Sequence, residues 1–290
     1  MWKFLKGLGW LSLLAVSLVI IAGGTLALLL LLTPQGTDLE TCLTTELYKV
    51  RLCPKSADYV KLGQISAHAK HAIVYSEDAA FWDHQGIDWD ELKKSFETNI
   101  EKGRFARGGS TITQQLAKNV YLSAEKSLWR KAREAIIALR IERLYEKPFI
   151  LEKYLNVVEF GEGLYGIKPA SQFYFRKSPA DLSVAESAFL AFLLPSPKRY
   201  AASFRKKQLS AFARRQTREI VDRLHRFKKI SEPEKIQAWM ELDTIFGGHA
   251  PLDLADESMG EAEALESSEE FNNEGPTQDR APKTIEESSN

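Results

Sequence analysis

From Gly7 to Leu32 the chain runs for 26 residues without a charge, and this run limits what the rest can become. As a helix it would reach roughly 39 Å, more than a ~30 Å hydrocarbon layer requires. A secretory signal has a shorter apolar stretch closed by small residues. Ala22, Gly23 and Gly24 are small, yet a second apolar stretch follows them. The reading is therefore an uncleaved anchor at 7–32, with a cleaved signal as the alternative. Lys3 and Lys6 keep residues 1–6 on the cytoplasmic side, and the body follows on the other side.

Charge is split along the chain. The total is 39 basic and 39 acidic residues, but from Pro251 onward there are 12 acidic and 2 basic ones. Residues 251–290 lack apolar periodicity and are expected to be a solvated, disordered tail. What precedes them is basic by ten charges, which suits anionic partners. Cys42 and Cys53 sit past the anchor, where disulfides persist, and are expected to close a loop in a stalk at 33–59. The alternative is two unpaired thiols in a mobile segment.

Residues 60–250 read as one mainly α domain. Asp88 with Glu91 three residues on marks a helix start, and Gly103 a stop. Leu128, Ala132, Ile136 and Leu139 repeat at helical spacing through about Tyr145. Ser183 and Glu186 form a capping box before AFLAFLL, which Pro195 and Pro197 end. The best strand candidate is VVEF at 157–160.

Four segments carry chemistry. Glu77 and Asp78 precede Phe81, Trp82 and His84; a carboxylate beside rings loses hydration, so its pKa rises towards that of a general base. The bland reading of this pair is a helix start. Arg107, Gly108, Gly109, Ser110, Thr111, Gln114, Gln115, Lys118 and Asn119 supply glycines, hydroxyls, amides and a cation. That mixture suits an anion at a helix N-terminus, with Ser110, Gln114 and Lys118 on one face. A plain polar cap is the alternative. Arg130, Lys131 and Arg133 surround Glu134 at ion-pairing spacing, which in an exposed helix is ordinary. Lys147 to Asn156 looks architectural.

In order and at close spacing, these segments resemble the bacterial peptidoglycan glycosyltransferases (glycosyltransferase family 51, transglycosylases). The similarity lies in EDxxFxxHxG at Glu77–Gly86, GGSTITQQ with KN at Gly108–Asn119, RKxxE at Arg130–Glu134 and KxxILExYLN at Lys147–Asn156. Phe160 to Ile167 and Ala170 to Phe175 continue it. The resemblance implies a lysozyme-like helical domain in the bacterial inner membrane. It further implies polymerisation of lipid II into β-1,4-linked glycan, with inversion and release of undecaprenyl pyrophosphate. Glu77 would be the base and Asp78 its tuning neighbour. Ser110, Thr111, Gln114, Lys118, Arg130, Lys131 and Arg133 would hold pyrophosphate and sugar, with Arg107, Gln115 and Asn119 in the same substrate-binding set. Glu134 would orient the basic groups or help hold a divalent metal, Mg2+ or Mn2+. Partners would be the growing glycan strand, the membrane and other cell-wall synthesis proteins.

Rival readings are weaker. A glycan hydrolase has no need of the basic motifs, and a non-enzymatic wall scaffold has no need of Glu77 and Glu134. A nucleic-acid binder would need its basic face on the cytoplasmic side, which the topology argues against. Gly161, Gly163 and Gly166 fit GxGxxG but follow a helix without a βαβ unit, so they read as a turn. His68 and His71 read as a helix surface rather than a metal site. Ser123–Lys126 and Ser203–Lys206 fit SxxK, yet no KTG or SDN triplet occurs, so a monofunctional enzyme is expected.

Overall fold

The computed structural model describes residues 2–103, 108–125, 127–205 and 208–246. The acidic tail, Arg107 and the lysines of both SxxK matches lie outside them. Helix α1 spans Trp2–Leu32. It is the one helix among the described residues long and apolar enough to cross a membrane, with mean hydropathy 2.6 over Ala15–Leu32.

The 33–59 segment is not a stalk. Leu43–Thr44 (β1) and Arg51–Leu52 (β2) pair antiparallel, Leu43 opposite Leu52. One step further along this register, Cys42 faces Cys53, and the two sulfurs are joined. Leu39 and Leu52 are buried in the main core, and the amides of Glu46 and Leu47 donate to the carbonyls of Val120 and Asn119. The folded domain thus begins soon after the anchor, well before residue 60, because this short ribbon has apolar side chains and backbone groups that only the domain can satisfy.

The remaining helices are α2 (Ala67–Glu77), α3 (Trp89–Glu101), α4 (Ile112–Tyr121), α5 (Leu128–Leu144) and α6 (Lys147–Val157). After a hairpin come α7 (Ile167–Phe175), α8 (Val184–Leu193), α9 (Pro197–Arg205), α10 (Ala211–Arg226) and α11 (Glu232–Ile245). Caps set most starts. The Asp88 carboxylate accepts from the Glu91 amide, and Ser183 with Glu186 closes the expected capping box. All ten residues of α8 are buried, with α2, α10 and α11 packed around it. Helix α4 lies against α5 and α6.

The strand expected at 157–160 falls instead at Glu159–Gly161 (β3), because Val157 completes α6. It pairs with Leu164–Tyr165 (β4), so the glycine triplet makes a hairpin turn as read. Gly163 and Gly166 both take positive φ. A Cβ on Gly166 would also lie 3.0 Å from the Asn156 carbonyl oxygen, so side chain and backbone angle both demand glycine.

Candidate active site

Glu77 is the last residue of α2, half-buried, with Oε2 2.8 Å from the Gln115 amide nitrogen that donates to it. Gln115 is itself held: its carbonyl accepts from the hydroxyl of buried Tyr154 on α6 at 3.0 Å. Burial pushes the Glu77 pKa above the ordinary carboxylate range, and the Asp78 charge adds to this. The Gln115 bond and the positive charges of Lys118 and Arg223 oppose the rise without cancelling it.

Lys118 stands one turn beyond Gln115 on α4. Burial lowers its pKa; Glu134 and Glu77 work to raise it again, while Arg130 and Lys131 add to the depression. Lys118 therefore feels both acids and couples the Glu77 end of the site to the α5 cluster. There Glu134 is buried and accepts from Lys131, and from an Arg130 terminal nitrogen at 3.4 Å. Lys131 also donates to the Ser110 hydroxyl at 2.7 Å. The Lys131 side chain stays 45% exposed over a carboxylate only 3% exposed, so the acid lies inside and its cation reaches outward. Arg133 is half-buried on the same helix, its Nε without a hydrogen-bond partner among the described residues.

Several residues expected to bind substrate make bonds within the protein. Ser110 precedes the helix and does not share a face with Gln114 and Lys118, since Thr111 is the N-cap of α4. Thr111 is buried; its hydroxyl donates to the Gly86 carbonyl at 2.7 Å and accepts from the Gln114 amide. The Gln114 side chain accepts from the Thr111 amide, completing a capping box, and Asn119 is buried beneath the Glu46–Leu47 turn.

The anion at this helix N-terminus is a side chain of the protein. Asp78 Oδ2 accepts from the Ile112 amide at 2.9 Å, and both of its oxygens lie 3.0 Å from His84 Nε2. A buried carboxylate has taken the place expected for a substrate phosphate, which a helix N-terminus serves equally well. His84 reaches Asp78 across a loop whose Gly86, at φ +91°, lies where a Cβ would come within 3.1 Å of the Ala138 backbone.

The fourth motif supports the others. Lys147 stands 4.4 Å over the Phe81 ring and donates to Glu142, which also accepts from Thr113. Asn156 uses its side-chain amide as a strand would: Oδ1 accepts from the Val60 amide and Nδ2 donates to the Val60 carbonyl, both at 2.9 Å. Glu152 accepts from the Leu62 amide and the Tyr59 hydroxyl.

Arg223 was not singled out in the sequence. It donates to the Tyr75 carbonyl at 3.2 Å and places a positive charge near Glu77. It lies on α10 among four other arginines, with no motif to distinguish it. His68 and His71 are half-buried rather than on the surface, each with a buried ring nitrogen that has no partner among the described residues. No group of three or more His, Cys, Asp or Glu residues placed to hold a metal occurs among the described residues. Among the described residues, Glu77 accepts from the Gln115 amide and Glu134 from Lys131 and Arg130.

The Transglycosylase family model matches residues 45–225, which takes in every element of this site. A biosynthetic peptidoglycan transglycosylase of Aromatoleum aromaticum is 48% identical over 158 residues, covering 54% of this chain and 68% of that protein. One from Azoarcus sp. is 49% identical over 146 residues, 50% of this chain and 63% of the relative. One from Thiobacillus denitrificans is 45% identical over 168 residues, 58% and 72% respectively. The chain belongs to the transglycosylase family, and so to the peptidoglycan glycosyltransferases.

Proposed function

We propose that the protein polymerises lipid II, transferring the growing chain from its undecaprenyl pyrophosphate onto an incoming acceptor with inversion. The observation that carries this reading is a carboxylate, Glu77, aimed by the Gln115 amide on the helix that also carries Lys118, beside a cation cluster built on Glu134. Inversion at one centre needs one base and one stabilised leaving group. Glu77 takes the proton from the acceptor 4-hydroxyl as its oxygen attacks the anomeric carbon, while Gln115 fixes the side chain's orientation. The anomeric carbon–oxygen bond breaks as the new bond forms, and the departing pyrophosphate gathers charge. Lys118, Arg130, Lys131 and Arg133 stabilise that charge, with Arg107 added from the motif. Glu134 is the buried counter-charge that holds Arg130 and Lys131 in place.

Asp78, Thr111, Gln114 and Asn119 act on the reaction only through the frame they hold. The protein is membrane-anchored. We place its N-terminus in the cytoplasm and the domain outside the inner membrane, with Lys3 and Lys6 as the basis. Trp89, Leu92, Phe96 and Ile100 form an exposed apolar stripe on α3, as suits a domain working against a bilayer.

The test is the full chain with labelled lipid II and a muramidase digest of the product. A muramidase-sensitive polymer is expected from the native chain. Glu77→Gln should lose roughly 10²–10⁴-fold in rate, the usual contribution of a general base, with unchanged Tm. A near-normal rate in that variant refutes the assignment.

A further inference from the structure

The last turn of a helix leaves carbonyls with no partner inside the helix, and cations are favoured there. Helix α1 carries no basic residue in its last turn. Thr33 serves one carbonyl, its hydroxyl donating to Leu29 at 2.5 Å. The Leu30 carbonyl, and those of Thr33 and Pro34 just past the helix end, are served from outside. The Arg140 guanidinium on α5 donates to the carbonyls of Leu30 at 2.8 Å, Thr33 at 2.5 Å and Pro34 at 3.0 Å. The next α5 residue, Ile141, has its Cγ1 3.2 Å from where a Cβ on Gly36 would sit, and Gly36 turns the chain at φ +76°. Asp38 then accepts from the Tyr121 hydroxyl of α4, and Leu39 is fully buried. The exit of the anchor is thus fastened to the two helices that carry Glu134 and Lys118.

We propose that Arg140 is a positioning residue that sets the height of the basic cluster above the bilayer. Arg140 lies six residues from Glu134 on one uninterrupted helix, a rise of about 9 Å. A membrane-held polyprenyl pyrophosphate keeps its phosphates at a fixed depth near the headgroups. With α5 clamped to the end of α1, the cations reach that depth in every productive encounter. Without the clamp the residues between Leu32 and Asp38 become a hinge, the domain samples more heights, and fewer of them match. This inference rests on the polymerase reading and adds to it the selection of a membrane-held donor.

The experiment compares two substrates for the same full chain. One is lipid II in proteoliposomes; the other is a short-chain, water-soluble lipid II analogue, which has no fixed depth. Arg140→Gln should raise the apparent KM on vesicle-borne lipid II about tenfold, the loss expected from removing a charge-assisted hydrogen bond at a site of this kind. On the soluble analogue, kcat and KM should stay within about twofold, a split that a general loss of fold would not produce. Arg140→Lys keeps the charge but not the fork, and should fall between. Three glycines inserted after Gln35 loosen the same joint without touching α5, and should reproduce the split. Equal losses on both substrates, or no loss on either, overturn the inference. A native chain inactive on both substrates overturns the polymerase reading and this inference with it.

Discussion

Glu77 and Asp78 are neighbours in sequence and lie in opposite kinds of surroundings. Glu77 ends α2 half-buried, accepts from the Gln115 amide and feels the Lys118 charge. Asp78 turns inward, its side chain 2% exposed, bonded to the Ile112 amide and to His84. The same division runs through the other motifs. On the proposed reading Lys118, Lys131 and Arg130 belong to the reactive side; Thr111, Gln114 and Asn156 close bonds within the protein. On that reading a short motif codes two things at once, a group proposed to meet substrate and the bracket that aims it. The difference teaches that buried polar residues of the motif contribute through geometry, because an unpaired buried donor or acceptor is costly to leave.

The comparison can be pressed with adjacent substitutions. Glu77→Gln should take the largest loss, in rate alone. Asp78→Asn should instead lower stability by about 1.5–3 kcal/mol, the range for a hydrogen bond to a charged group, as read by urea unfolding. If Asp78→Asn left the unfolding midpoint unchanged, the bracket role would fail. Asn156→Ala removes the amide that serves Val60 and should cost about 1–3 kcal/mol, with activity per folded molecule largely kept. A rate loss exceeding the fraction unfolded would move Asn156 to the reactive side.

The smallest effects are also the most discriminating, since they differ in sign. Lys118 holds the Glu77 pKa down, so Lys118→Met should let it rise, and the acid limb of the kcat/KM profile should move to higher pH. Asp78 pushes that pKa up, so Asp78→Asn should move the limb to lower pH. Limbs that move together, or not at all, would show that the acid limb does not report Glu77.

Much of the fold was legible because its signals are local. Asp88 with Glu91, Ser183 with Glu186, and the prolines after Leu194 each act within one turn, and each marks a boundary where expected. The run from Gly7 to Leu32 likewise needs no partner to be read. What failed depends on contacts distant in sequence. The 33–59 segment looks like a stalk until Leu39 and Leu52 are seen buried in a core supplied by later helices. The start of α4 was recognised as an anion site, but nothing nearby tells that Asp78, 34 residues upstream, fills it. Arg223 was invisible for the same reason: its nearness to Glu77 follows from packing of α10 on α2.

The amide of Asn156 has a consequence for the order in which this protein takes shape. It joins Val60 across 96 residues, and Glu152 joins Leu62 across 90. Chains emerge N-terminal end first, so the anchor and the segment around Val60 are made well before α6 exists to receive them. Until then the Val60 backbone groups have no such partner, and the loop between must close over its whole length before the bonds form. The base of the site is therefore a late event in the life of each molecule. Glu77, on the helix that follows Leu62, gains its Gln115–Tyr154 support only when α6 arrives. A half-made chain holds the first two motifs and the Asp78–Ile112 and Thr111–Gly86 bonds between them, but not the α6 residues that seat them.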